Sequence, residues 1–109
     1  MTIVNATIDS SETIIHTVGG GETHAVLNII FCNFDTAGSG TENLTVYIKP
    51  GGESISDQNT IMKRQEIKAG NTFIWSADEK LILDATDVVS AIGSSGSLIS
   101  ATLCYMDIS

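Results

Sequence analysis

Residues 23–34, T-H-A-V-L-N-I-I-F-C-N-F, limit what this chain can become more than any other stretch does. They form its longest apolar run, rich in β-branched and aromatic residues and free of Gly and Pro. Periodicity alone does not separate helix from strand in so short a run. The β-branched content, the glycine triplet before it and the Asn-Phe-Asp after it favour a strand. Side chains alternate along a strand, so Ala25, Leu27, Ile29 and Phe31 form one wholly apolar face expected to meet the core. Val26, Asn28, Ile30 and Cys32 form the other face. It is mostly apolar too, and is expected to lie under a second sheet edge or a neighbouring subunit. The reading is a central strand of a sandwich.

Shorter pieces of the same kind fill the rest of the chain. Residues 2–8 read as an edge strand, 9–11 as a turn and 12–18 as a second strand. Gly19-Gly20-Gly21 reads as a tight hairpin connection, since glycine takes positive φ without strain. In that register Val18 faces Glu22 and His16 faces His24 across the ladder. Residues 35–42 read as an exposed loop, 43–49 as a cleanly alternating strand, and 53–59 as a polar loop after Pro50-Gly51-Gly52. Residues 60–68 fit either a strand with a polar middle or one turn of helix. Strands are expected at 72–75 and 81–83, joined by a connection at 76–80. An Asp-rich turn at 84–87 leads to a strand at 88–92. A hairpin loop at 93–97 leads to the last strand, 98–106. Eight or nine short strands, with turn signals about every 8 to 15 residues, are the mark of an all-β antiparallel sandwich, jelly-roll or immunoglobulin-like. A chain of 109 residues makes this one domain, 1–109.

Composition narrows the partners. Five Lys and Arg against thirteen Asp and Glu give a net charge of −8, which disfavours nucleic acid and anionic membranes. Lys63, Arg64 and Lys68 are too few to form a phosphate-binding cluster. Charged residues are 17% of the chain, against about 25% in an average domain, and mean hydropathy is +0.20. A surface so poor in charge suits burial in an oligomer or larger assembly. No apolar run reaches membrane-spanning length, and the first ten residues have neither the basic start nor the apolar core of a signal peptide. Without secretion, the glycosylation patterns at Asn5 and Asn43 carry no weight. Cys32 and Cys104 read as free, buried thiols rather than a disulfide framework.

No catalytic constellation stands out. The G-S-S-G-S at 93–97 has no helix after it and fails as a nucleophile elbow. Asp78 and Glu79 are adjacent and point to opposite faces of a strand. Asp84 and Asp87 flank a turn, where Asp commonly bonds its own backbone. Asp57 with Glu53 lacks calcium-loop spacing, and Cys32, Cys104, His16 and His24 lack zinc-ligand spacing. Two facing histidines would share a metal or repel when protonated. The reading prefers a solvated cross-strand pair at the hairpin tip, with no metal and no cofactor assigned. Among the aromatics, Phe73 and Trp75 share one strand face with Ile74 on the other, and Trp75 is either a core filler or a contact residue.

Four segments together resemble small virion proteins of tailed bacteriophages: I-I-H-T-V-G-G-G-E-T-H-A-V-L-N-I-I-F-C-N at 14–33, L-T-V-Y-I-K-P-G-G at 44–52, I-K-A-G-N-T-F-I at 67–74 and L-I-L-D-A-T-D-V-V-S-A at 81–91. The resemblance spans residues 13–108. It departs at Gly19-Gly20, where Pro-Ser is usual, and at Ala85-Thr86, where Gly is expected before Asp. It implies a β-sandwich built into the particle: a capsid decoration or cement protein, or a neck, tail or fibre-associated receptor- or glycan-binding module. It carries over no catalytic residues. The expected partners are the chain itself, as a trimer or other ring, and virion proteins such as the major capsid protein. The expected location is the virion, assembled in the host cytoplasm. The candidate interface residues are Val26, Ile30, Cys32, Tyr47 and Trp75.

Overall fold

In the computed structural model, residues 1–35, 40–94 and 98–108 are described, with backbone only at 77–80. Eight strands follow one another: β1 (Thr2–Ile8), β2 (Thr13–Thr17), β3 (His24–Asn33), β4 (Thr41–Lys49), β5 (Thr60–Lys68), β6 (Thr72–Leu83), β7 (Val88–Ile92) and β8 (Ile99–Asp107). They make two four-stranded antiparallel sheets, ordered β1-β8-β3-β6 and β2-β7-β4-β5. Of consecutive strands only β4 and β5 pair; every other connection passes from one sheet to the other. An immunoglobulin-like sandwich keeps several consecutive strands side by side. The order found here is instead the double winding of a jelly roll.

This order corrects the expected hairpin at Gly19–21. β2 and β3 belong to opposite sheets, so the glycines form an arch over one end of the sandwich. Gly21 takes φ +76°, and Glu22 N–H bonds the Gly19 carbonyl at 3.2 Å. The same turn chemistry serves a hairpin or an arch. Which one forms depends on where each strand finds its partners. The expected hairpin at 93–97 likewise bridges the sheets, from β7 to β8, and residues 95–97 of it lie outside the described residues, as do 36–39 of the loop at 35–42.

β3 is central, between β8 and β6. Ile29 and Phe31 are fully buried with Ile99, Ala101 and Leu103 of β8, against Leu44, Val46, Val89 and Ala91 of the facing sheet. The predicted alternation holds only from Asn28 onward. Between the pairs Val26–Tyr105 and Asn28–Cys104, Leu27 is an extra residue with no counterpart on β8. This bulge reverses the faces, as one inserted residue must. Val26, expected on the outer face, is fully buried in the core, while Leu27, expected in the core, is half-buried.

On the other side of β3 the same bulge faces residues 77–80 of β6, which lie between the paired Ser76 and Leu81. β6 is therefore one long strand rather than two, with its ladder interrupted inside the connection expected at 76–80. β5 is a strand and not a helical turn. Its polar middle is an irregularity in which Arg64 takes φ +54° and its N–H bonds Thr45 Oγ1 at 3.2 Å. The loop at 53–59 holds a single 3₁₀ turn, Asp57–Asn59.

Candidate functional site

The strongest polar cluster sits under the glycine arch. The reversed parity before Leu27 turns His24, the first residue of β3, into the sandwich. His16 of β2 pairs with Val89, a core residue, and faces in from the opposite sheet. Their rings meet with His16 Nε2 and His24 Nδ1 2.8 Å apart, and both residues are buried, at 8% and 3% exposure. The ring of Tyr105 lies 4.3 Å from each.

On its solvent side, His24 Nε2 is 2.7 Å from Glu22 Oε1, whose side chain is 44% exposed. A Cβ at position 19 would lie 2.6 Å from Glu22 Oε2, so glycine there makes room for the carboxylate to fold back towards His24. Asp107, at the end of β8, is paired with His24 in the ladder. A carboxylate oxygen of each acidic residue and one ring nitrogen of His24 lie within 4.8 Å of one another.

The two histidines therefore meet as expected, but across the sandwich and not across a ladder, and buried rather than solvated. The hairpin register produced the correct pair through the wrong geometry. Burial first, then the charge on a protonated His24, push the His16 imidazole below its usual range, and Glu22 acts the other way. At neutral pH His16 is uncharged, and the chain Glu22–His24–His16 runs from solvent to the interior. Among the described residues, the side-chain hydrogen bonds of the two rings join them to each other and to Glu22. A triad would need a serine or cysteine on one of those nitrogens.

A second cluster lies on the outer face of the β2-β7-β4-β5 sheet. Lys49 Nζ is 2.6 Å from Glu12 Oε2, and Ser90 Oγ donates to the same oxygen at 2.7 Å. The bond from Lys49, then that from Ser90, holds the Glu12 carboxyl below its usual range against the opposing effect of burial. These bonds tie the start of β2 to β4 and β7. An open groove of about 530 Å³ lies at the far end of β7, lined by Asn43, Thr45, Arg64, Ile92, Gly93 and Ser94. Nothing in the sequence marked it, because its walls come from three separate segments.

The candidate interface residues scatter. Ile30 and Cys32 lie on the outer face of the β1-β8-β3-β6 sheet, half-buried. Val26 is core. Trp75 packs with Phe73 against the core, leaving Ile74 57% exposed on the opposite side. Tyr47 is half-buried on the other sheet, paired with Ser90. Cys104 shares the outer face with Cys32; both thiols are free, and half-buried rather than buried. The Asp84–Asp87 turn is structural, with Asp87 Oδ2 accepting from the Asp84 N–H at 2.9 Å. The side chains of Asp78 and Glu79 lie outside the described residues.

Three rungs on the outer face that holds Ile30 cross all four strands of the sheet. Ile3, Cys104, Asn28 and Ser76 form the first, Asn5, Thr102, Ile30 and Ile74 the second. Thr7, Ser100, Cys32 and Thr72 form the third. None of these residues carries a charge. By contrast β5, an edge of the other sheet, exposes Lys63, Arg64, Glu66 and Lys68.

No protein-family model matches the chain, and neither a curated protein nor a solved structure matches it.

Proposed function

We propose that this chain is a non-enzymatic structural protein of a tailed-bacteriophage virion, a capsid decoration or cement protein that self-associates and docks on the particle. The observation that carries this reading is the set of three uncharged rungs on the outer face of the β1-β8-β3-β6 sheet among the described residues, with Ile3 at 59% and Ile74 at 57% exposure. Isolated apolar residues on a surface need no explanation. Three rungs without one charge, in a protein of net charge −8, suit a partner surface.

That face runs onto β1, an edge strand with no charge, no proline and no register shift. The other three edge strands all have irregular ladders. Bulges and charges protect a sheet edge from pairing with another chain, and β1 has neither. The jelly roll admits the reading, since double-sheet folds of this kind build viral shells as well as lectins, although a fold assigns no function by itself. The resemblance to small phage virion proteins points the same way. The glycan-binding alternative would rest on Tyr47 or Trp75, and here Tyr47 is half-buried and Trp75 packs against the core.

The test is to band particles from lysates of cells carrying the gene and look for the protein by mass spectrometry, alongside sedimentation velocity of the purified chain. The expected result is a discrete oligomer that is also found in the particles. A strict monomer absent from the particles overturns the proposal.

A further inference from the structure

We propose that His24 Nε2 and the carboxylates of Glu22 and Asp107 bind a divalent first-row transition-metal ion, with zinc as the matching ion. The inference is independent of the assembly reading. Three donors from three places converge: the arch before β3, the start of β3 and the end of β8. Their ligand atoms lie within 4.8 Å of one another. The imidazole forms the floor at 3% exposure, while Glu22 is half-exposed and Asp107 exposed, so an ion enters from solvent and settles on a fixed nitrogen.

The donor set selects the ion. One imidazole nitrogen with two carboxylate oxygens suits zinc, which takes three protein ligands and leaves the fourth position to water. Calcium seeks six to eight oxygens and gains little from a nitrogen. Around a tetrahedral zinc ion the ligand atoms stand roughly 3.3 Å apart. The 2.7 Å between Glu22 Oε1 and His24 Nε2 therefore has to open by well under an ångström, within reach of a half-exposed glutamate.

The surroundings hold the floor in place. His24 Nδ1 lies 2.8 Å from His16 Nε2, and Tyr105 stacks on the ring, so the imidazole is oriented from behind with Nε2 facing the carboxylates. Metal-ligating histidines are commonly held this way through their second nitrogen. A net charge of −8 adds a field that favours cations. Bound there, the ion clasps the β2–β3 arch to the last strand. It binds the folded chain alone and stabilises it.

Calorimetric titration of chelator-treated protein with zinc chloride tests this, with thermal melting as a second readout. The expected result is saturable one-to-one uptake with a raised melting temperature, while calcium chloride at the same concentration gives neither. Glu22→Gln and Asp107→Asn are each expected to weaken uptake by at least about tenfold. Glu66→Gln, on edge strand β5 of the other sheet, is expected to leave it unchanged. His24→Gln is expected to abolish uptake. Because that variant removes a buried ring, the two surface carboxylate variants decide the matter if it does not fold. Absence of saturable uptake by folded wild-type protein overturns the site, as does uptake undiminished in either carboxylate variant.

Discussion

Glu12 accepts from both Lys49 and Ser90 on one oxygen, and its lowered pKa makes it a source of acid sensitivity. The unfolded chain binds this proton more readily, so the stabilisation is complete above the ordinary value of 4.5 and is lost as pH falls below it towards the folded value. Urea midpoints followed from neutral to acid pH should drop through this window. In Glu12→Gln the part of the drop due to this residue should vanish. At neutral pH the same variant leaves Lys49, 8% exposed, without its counter-charge and should lose about 1–3 kcal/mol. None of this was legible from sequence, because Glu12, Lys49 and Ser90 lie far apart in the chain. The pairing of His16 with His24 was legible, because a short glycine arch keeps its two ends together whichever way the strands turn.

Elements show where sequence reasoning runs true and where it slips. The Asp84–Asp87 turn, the existence of β3, β4 and β7, and the core face of Ile29 and Phe31 follow from local chemistry and alternation. The bulge at Leu27 does not, since nothing in T-H-A-V-L-N-I-I distinguishes a bulged from a regular strand. A test separates the two geometries. Leu27→Ser, at a half-buried position, should cost under about 1 kcal/mol, whereas Val26→Ser opens a hole in the core and should cost more than about 2 kcal/mol. Unbroken alternation demands the reverse order. Equilibrium urea unfolding of the two variants decides between them.

At the scale of the whole molecule, the three uncharged rungs on the outer face of the β1-β8-β3-β6 sheet are the feature with the widest consequences. Ile30→Asp at its centre and Ile3→Lys at its edge both place a charge where a second copy would dry the surface. Both variants should sediment as smaller species than wild type while keeping a cooperative melt. Ile3→Lys in particular should change stability by no more than about 0.5 kcal/mol, being an exposed substitution away from the core. If Ile30→Asp fails to fold while Ile3→Lys leaves the oligomer intact, this face is ordinary surface over ordinary core.

The run at 23–34, together with the short strands and turn signals along the rest of the chain, determined by sequence alone that the chain builds a β-sandwich around one central strand. Alternation, β-branching and turn residues are local properties, and they act before any partner is found. Only the tertiary structure decided that the sandwich is a jelly roll, that the glycine triplet arches between sheets, and that His24 and Val26 turn inward ahead of Leu27. Those outcomes depend on which distant strands pair. That choice is settled by the burial and hydrogen bonding of the whole arrangement, which no short window of sequence contains.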